Sequence, residues 1–327
     1  MSEALLSLLK PGETTSGETL ARRLKITRQG LHKQILSLRK RGVQIEGKPN
    51  SGYKLLREPD VLSLEKISKG LETKIFGKVL VLLERTDSTQ DKAKELAEAG
   101  CPEGTTVIAE EQSRGRGRLG RPWVSGRGGL WVSVVLRPRM PPQNVPLLAL
   151  AASVAIARAI ESACRARCFL KWPNDILIPA GKGKKRSGKN LRKVCGSLIE
   201  MTSEPDRIRW LILGFGIDVN NPTPASLQDI ALSLKEAQGG NLDRNRILRA
   251  VLQSLDGVYE SLLSKGFEWI RKEYMKRSVL KRGARLALSD HETRIQGRLV
   301  KIAQDGALVL ALPGGKQEKF YAGDVTV

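Results

Sequence analysis

Between two strand-like runs, Thr105–Glu111 and Leu130–Arg137, the chain carries Gly115-Arg116-Gly117-Arg118-Leu119-Gly120-Arg121-Pro122-Trp123. Glycines and arginines alternate here, which suits neither a helix nor a strand interior, because glycine loses the most backbone freedom on ordering. The segment is therefore a loop, and its backbone N–H groups can approach a ligand closely. Arginine adds permanent charge and a planar fork matched to carboxylate and phosphate. Trp123 adds a flat face for stacking. The run occurs once and sits between strands, so it reads as a single functional loop in a globular domain rather than a repetitive RNA-binding tract. Its chemistry suits an anion with a ring attached, such as a nucleotide or acyl-nucleotide.

Gly115, Gly117 and Gly120 also spell a formal G-x-G-x-x-G. A dinucleotide fingerprint needs a helix opening at the third glycine and an acidic residue about 20 positions on. Pro122, more glycines and a β-branched run follow instead, and no carboxylate occurs between Glu111 and Glu161. The dinucleotide reading fails.

At 327 residues the chain has room for two or three domains. No uninterrupted apolar stretch reaches the roughly 18 residues of a membrane span, and no basic-then-apolar leader opens the chain. Four cysteines (101, 164, 168, 195) in a chain of this length do not form a disulfide framework. Cys164 and Cys168 lack a second ligand pair, and His32 and His291 are distant in sequence, which speaks against zinc. A cytoplasmic protein with reduced thiols is expected. The formal charge of +22 calls for a polyanionic partner, nucleic acid above all. It is concentrated in residues 1–57 and in the run from Gly181 to Lys193.

Residues 1–57 read as a winged helix-turn-helix. Ala4, Leu5, Leu8 and Leu9 form a helical stripe that Pro11-Gly12 ends. Thr15 or Ser16 caps a short helix carrying Leu20 and Leu24. Thr27 caps the next helix, whose apolar face is Leu31, Ile35 and Leu38 and which Gly42 stops. Its other face shows Arg28, Gln29, His32 and Lys33, placed to meet base edges or phosphates in a major groove. Val43–Glu46 and Tyr53–Leu56, joined through residues 47–52, form the hairpin wing. The module holds 12 Lys/Arg against 4 Asp/Glu, which suits phosphate contact. A winged helix serving protein interaction or dimerisation is the other reading.

Beyond a linker helix near Leu62–Leu71, strands are expected at Lys78–Leu83, Thr105–Glu111, Leu130–Arg137, Cys168–Lys171, Ile176–Ile178, Lys193–Met201 and Arg207–Val219. Helices are expected at Asp91–Ala99, Pro146–Cys164 and Arg244–Leu263. The two do not alternate regularly, so the class is α+β rather than doubly wound. Further short strands are expected at Arg285–Leu288, Thr293–Ile302, Ala307–Leu312 and Glu318–Tyr321, with turns at Asp305-Gly306 and Pro313-Gly314-Gly315. The expected domains are 1–60, 61–280 and 281–327.

Five motifs in order over residues 86–220 resemble those of biotin protein ligases. The arginine loop matches the family's Gly-Arg-Gly-Arg-x-Gly-Arg-x-Trp. Thr86-Asp87-Ser88-Thr89-Gln90 resembles its Asp-Ser-Thr-Asn element, and Lys171-Trp172-Pro173-Asn174-Asp175 matches without departure. Lys193-Val194-Cys195-Gly196-Ser197-Leu198-Ile199-Glu200 resembles its Lys-Val-x-Gly-Ile-Leu-x-Glu strand. Leu213-Gly214-Phe215-Gly216-Ile217-Asp218-Val219-Asn220 resembles Gly-Ile-Gly-Ile-Asn-Val-Asn. With an N-terminal winged helix, the resemblance is to the bifunctional subgroup that biotinylates protein and represses biotin genes. It implies a largely antiparallel sheet with helices on one side and an SH3-like C-terminal barrel.

The resemblance also implies two steps. Biotin and ATP give biotinyl-5'-AMP and pyrophosphate, and a lysine of a biotin carboxyl carrier protein then takes the biotin. Lys193 and Arg118 are the implied catalytic residues, with Mg²⁺ on the phosphates. Ser88, Thr89, Gln112 and the backbone of Arg116, with Arg118 and Lys193, would bind biotin, whose ring Trp131, Leu198 and Ile217 would wall; each of the three also fits a core position. Glycines 196, 214 and 216 suggest strands that a ligand approaches closely. Arg121, Trp123, Asn174 and Asp218 would bind the nucleotide. Asp175 would orient Lys193, hold the metal, or simply follow the turn at Pro173. Operator DNA and a homodimer formed on biotinyl-5'-AMP are the other implied partners.

Asp218 departs from the family's asparagine, losing an amide donor while keeping an acceptor. Gly181–Arg192 resembles an insertion; its Gly183-x-x-x-x-Gly188-Lys189 lacks the hydroxyl and the following helix of a phosphate loop. Three readings stand: a ligase that also represses, a ligase whose winged helix does not repress, and a non-catalytic ligand-sensing regulator.

Overall fold

The structure is a computed structural model that describes residues 2–40, 43–48, 51–56, 60–181, 190–289 and 294–326. Gly42, the tip of the wing at 49–50, residues 182–189 of the basic insertion with its Gly183/Gly188-Lys189 pattern, and His291 lie outside the described residues. The chain divides into two compact units, Met1–Ser63 and Leu64–Val327.

The first unit runs α1 (Ser2–Leu8), β1 (Thr14–Thr15), α2 (Gly17–Leu24), α3 (Arg28–Lys40), β2 (Ile45–Lys48) and β3 (Gly52–Leu55). Its core joins Leu5 and Leu9 to Leu20, Leu31, Ile35 and Leu38 beneath the wing residues Ile45 and Leu55. Ala4 is exposed instead. Both expected caps form, with Ser16 Oγ accepting from Thr19 N at 3.1 Å and Thr27 Oγ1 from Gly30 N at 3.0 Å. The sequence did not announce β1, which pairs with β3 to give a three-stranded sheet.

The second unit begins with α4 (Leu64–Ser68), β4 (Val79–Leu83), α5 (Thr89–Glu98), β5 (Thr105–Ala109) and β6 (Leu130–Leu136). It continues with α6 (Val145–Cys164), β7 (Phe169–Lys171), β8 (Asp175–Pro179), β9 (Leu191–Ser203) and β10 (Ile208–Ile217). α7 (Leu234–Gln238), α8 (Arg244–Lys265) and α9 (Glu268–Arg277) follow. The sheet order is β4-β5-β6-β10-β9-β8-β7, antiparallel except for the parallel β4–β5 pair. α7 and α9 were not expected. α7 is a single capping-box turn at Ser233/Glu236, too short to show a period.

α5 packs Ala93 and Ala97 on the sheet face that carries Val107, Val135 and Ile212. The residues of the other parity, Val134, Leu211 and Leu213, are equally buried. The sheet is therefore covered on both faces, not on one as the resemblance implied. α6 is long and apolar enough to cross a membrane, but 67% of that span is buried in this fold. It pairs with α8, where Ser254 Oγ donates to Ala155 O at 2.8 Å. A wholly buried ion pair, Arg244 to Glu110 at 2.8 Å, ties the start of α8 to the end of β5, and Arg244 also reaches Gly129 O.

The chain ends in β11 (Arg285–Ser289), β12 (Arg294–Ile302), β13 (Leu308–Ala311), β14 (Gln317–Phe320) and β15 (Asp324–Thr326). They form an antiparallel five-stranded sheet ordered β14-β13-β12-β11-β15, in keeping with the SH3-like expectation. β15 was not foreseen. It brings the C-terminal sheet to the site described next, while Trp172 Nε1 donates to Gly306 O at 3.3 Å behind it.

Candidate functional site

The arginine loop folds back on itself. Trp123 N donates to Gly115 O and Gly117 N to Arg121 O, both at 2.8 Å, and Arg118–Gly120 make one 3-10 turn. Gly120 takes φ +68°, where side chains are disfavoured. A Cβ on Gly115 would lie 2.4 Å from Ser125 Oγ, so only glycine lets the two limbs close.

The loop faces a cleft of about 590 Å³ lined by Ser88, Thr89, Gln112, Arg116, Arg118, Arg121, Trp123, Asn174, Asp175, Lys193 and Asp218 among others. Four sequence motifs and the loop thus meet at one cavity. The exposed face of α3 carries Arg28, Gln29, His32 and Lys33. Arg28 there pairs with Glu18 at 3.1 Å.

At one end the cleft is lined by uncharged polar side chains, with the Arg116 guanidinium at their edge, 3.5 Å from Ser88 Oγ. Gln112 Oε1 accepts from Thr89 N at 2.7 Å and from Thr89 Oγ1 at 3.0 Å, and Gln112 Nε2 donates to Ser125 Oγ at 2.8 Å. Thr89 Oγ1 meets Ser133 Oγ at 2.9 Å, which in turn donates to Gln90 Oε1 at 3.0 Å. Ser88 caps α5 through Gln90 N at 3.2 Å. Gln90 was named in its motif without a role, and Ser133 was missed. A serine inside the buried run Leu-Trp-Val-Ser-Val-Val-Leu was the available signal, since a buried hydroxyl needs a partner.

Cations gather in the middle. Lys193 Nζ lies 2.6 Å from Asp175 and 4.9 Å from the centroid of the Trp123 ring. Arg118 donates to Asn174 Oδ1 at 3.3 Å and Gly323 O at 3.5 Å, and Arg121 pairs with Asp324. Arg116 is clasped by Asp91 at 2.8 Å and Glu200 at 3.0 Å. Hydrogen bonding to these carboxylates, Asp91 first, holds the guanidinium charged well beyond its ordinary range. Of these acidic partners Asp175 was anticipated as one that could orient Lys193, whereas Asp91, Glu200 and Asp324 were not legible in the sequence, because each comes from a distant element.

Gly196 and Gly216 face each other across β9 and β10 beneath the indole. A Cβ on Gly216 would lie 2.5 Å from Trp123 Nε1, and one on Gly214 2.3 Å from Gln90 Oε1. The close approach expected at these glycines is thus made, in this structure, by the protein's own side chains. Leu198 lines the cleft. Ile217 is wholly buried on the opposite face from Gly216, and Trp131 is core, 1% exposed, with Nε1 on Gly126 O at 2.9 Å. Neither is a wall of the cleft.

Asp218 continues the parity of Gly214 and Gly216 and opens on the same cleft. Burial pushes its carboxyl up to about 6, against a hydrogen bond from Asn221 Nδ2 at 2.7 Å. Cys195 is fully buried beneath, and burial pushes its thiol well up. Burial likewise raises Cys164 to about 11, so neither is a poised nucleophile.

A cleft with one neutral polar end, a central group of cations and an aromatic platform defines a ligase of the biotin and lipoate type. Residues 82–218 match the Biotin/lipoate A/B protein ligase family and residues 2–54 an HTH domain. The chain is 37% identical over 317 residues to the bifunctional ligase/repressor BirA of Bacillus subtilis, covering 96% of this chain and 94% of that protein. It is 29% identical to BirA of Escherichia coli over 95% of this chain and 92% of that one. Among solved structures, biotin protein ligase from Aquifex aeolicus in complex with biotin and ATP superposes with a TM-score of 0.64 at 30% identity, covering 76% of this chain and 98% of that chain. The chain belongs to the biotin protein ligase family, in the form that carries an N-terminal helix-turn-helix.

Proposed function

We propose that this chain activates biotin with ATP, transfers it to a lysine of a biotin carboxyl carrier protein, and represses transcription when biotinyl-5'-AMP is bound. The observation that carries the reading is the meeting of Lys193, Arg118, Trp123 and Asn174 at one cleft whose other end is neutral and polar.

Biotin's carboxylate attacks the α-phosphorus of ATP, the bond to the β-phosphate oxygen breaks, and pyrophosphate leaves. The acceptor amine then attacks the acyl carbon, loses its proton and expels AMP. The first step brings two anions together, at a cost of about 4 kcal/mol at 4 Å for an effective dielectric of 20. Lys193, oriented by Asp175, and Arg118 offset that repulsion. Ser88, Thr89 and Gln112 suit the ureido ring, which gives and accepts hydrogen bonds without charge. Arg116 contributes its backbone there, while its guanidinium fastens the loop. Arg121, Trp123, Asn174 and Asp218 take the nucleotide, and the folded loop shields the adenylate from water.

Magnesium would be supplied with the nucleotide rather than held by a cage of protein ligands. Among the described residues no group of three or more His, Cys, Asp or Glu side chains would cage a metal. Asp175 is held by Lys193 and Asp324 by Arg121. Mg²⁺ on phosphate oxygens needs few protein ligands, and there it would neutralise phosphate charge.

Arg28, Gln29, His32 and Lys33 read operator DNA. A single winged helix covers one short half-site, so repression runs through a homodimer on a two-fold operator. The organisation into residues 1–60, 61–280 and 281–327, and a cytoplasmic location, belong to the same proposal.

The test is incubation of the full chain with ATP, labelled biotin and a carboxyl carrier domain, followed by operator binding and sedimentation with and without biotin and ATP. Label on the acceptor, a shift to dimer and tighter operator binding are expected, the coupling amounting to roughly 1–3 kcal/mol. Transfer with operator affinity and sedimentation indifferent to biotin would leave a ligase alone. Absence of transfer would leave a sensor.

A further inference from the structure

We infer that Arg244 is a positioning residue for biotin: it grips both ends of the arginine loop from outside the cleft and so sets where Gln112 and Ser125 stand. This rests on the ligase reading given above.

The loop needs such a grip because the sheet stops short of it. The last pair of the β5–β6 ladder is Ala109↔Trp131, and beyond it the two limbs part to enclose residues 110–130. Glu110 is the first residue of one limb, and Gly129 lies two residues before Trp131 on the other. Arg244 Nη1 spans them, donating to Glu110 Oε2 at 2.8 Å and to Gly129 O at 2.9 Å. Gln112 follows two residues after Glu110. Its backbone N donates to Ser125 O at 2.9 Å, its Oε1 accepts from Thr89 Oγ1, and its Nε2 donates to Ser125 Oγ. These are the uncharged groups assigned to the ureido ring. Arg244, Glu110 and Gly129 themselves are not part of the cleft lining.

Helix and core stability do not explain this arginine. It is the first residue of α8, where the positive end of the helix dipole disfavours a cation. Asp243 already caps that turn, accepting from Asn245 N and Arg246 N. The paired side chains are 1% and 3% exposed, and taking two charges out of water offsets most of their attraction. What the pair does supply is geometry, a charged contact with defined directions to two acceptors. Asn220 N on Gly128 O and Trp131 Nε1 on Gly126 O fasten the second limb as well, at 2.7 and 2.9 Å, and Glu110 N donates to Leu83 O on the first. Arg244 joins the two limbs at their roots.

The experiment compares the full chain as wild type, as Arg244→Met/Glu110→Gln and as Arg244→Lys. Removing both charges together avoids stranding one of them in the core. Biotin binding at equilibrium, KM for biotin and for ATP, kcat for pyrophosphate release, and hydrogen exchange of the loop amides without ligand are measured. The double variant should bind biotin about 10- to 100-fold more weakly, the scale of a misplacement of about 1 Å. Its KM for biotin should rise alike, with KM for ATP and kcat at saturating biotin within about threefold of wild type. Its ligand-free loop amides should exchange about 10-fold faster. Arg244→Lys, whose ammonium can serve both acceptors, should recover most of the affinity. A smaller fraction of competent protein with unchanged biotin affinity, or equal losses for biotin and ATP, assigns the pair to folding alone and overturns the proposal. Should the double variant not fold, wild type decides. Biotin should slow exchange at Ile247 N, which donates to Asp243 O, together with the loop, and protection confined to the loop overturns the proposal. A wild type that binds no biotin sinks the ligase reading, and faster ligand-free exchange in the double variant would still leave Arg244 its grip on the loop.

Discussion

Lys193 and Asp175 stand on adjacent antiparallel strands with the ammonium 2.6 Å from the carboxylate and both side chains partly buried. Trp123 closes a third side, its ring centroid 4.9 Å from the same ammonium. A flexible lysine is thereby confined by a charge and by a π face, so its position is set before an anion arrives. Preorganisation of this kind avoids reorganisation at the moment of reaction.

Lys193→Ala should lower biotin-dependent pyrophosphate release by about 10²–10³-fold, as loss of one electrostatic stabiliser does elsewhere. Asp175→Asn should cost less, since the lysine charge remains and only its placement is lost. Equal losses in the two variants would contradict the division of roles.

Arg116 is the hinge pin of the arginine loop, bound to Asp91 at 2.8 Å and Glu200 at 3.0 Å. Arg116→Ala would leave these two carboxylates facing one another and weaken closure by about 1–2 kcal/mol, a 5- to 30-fold rise in the open population. Trypsin cleavage after Arg118 should accelerate accordingly, with little change in the global unfolding midpoint. An unchanged cleavage rate would mean that Arg118 and Arg121 hold the loop unaided.

Asp218 makes stability depend on pH with a definite sign. Its folded pKa of about 6 lies above its ordinary value of 3.8, so the unfolded chain releases this proton first. Stability from this group is full below about pH 4, falls as pH rises through 4 to 6, and then stays low. The loss is about 2 kcal/mol, discounted for the opening to the cleft. Asp218→Asn should therefore match wild type in urea at pH 4 and exceed it at pH 8. A stability gap independent of pH would refute this.

Arg28 and Lys33 are exposed on α3 in the first unit. Replacing both with alanine should reduce the log–log salt slope of operator binding by about 0.9 for each phosphate no longer neutralised, with biotin transfer unaffected. A slope equal to that of wild type would show that α3 does not meet phosphate.

Much of this was legible in local chemistry. Leu31, Ile35 and Leu38 at helical spacing gave α3, and they are core. The β-branched run before Arg137 gave β6, and Thr27 and Ser16 marked helix starts by the hydrogen bonds their hydroxyls make. Ile217 and Trp131 misled because strand parity and end burial, not residue type, decide which apolar side chain meets a cleft. β1 and β15, of two and three residues, carry no periodic signal at all.

The sequence by itself determined which chemical groups this protein brings to its ligand: an arginine-bearing loop that only glycines let close, an indole, a lysine at the start of a strand motif, and a polar helix face in a basic N-terminal module. Those follow from residue type and short spacing. Tertiary structure alone decided their partners. Asp91 and Glu200 on Arg116, Asp324 on Arg121 and Glu110 on Arg244 come from elements far apart in the chain. Ion pairing and burial act through space, and no periodicity along the chain encodes which distant carboxylate a guanidinium will meet.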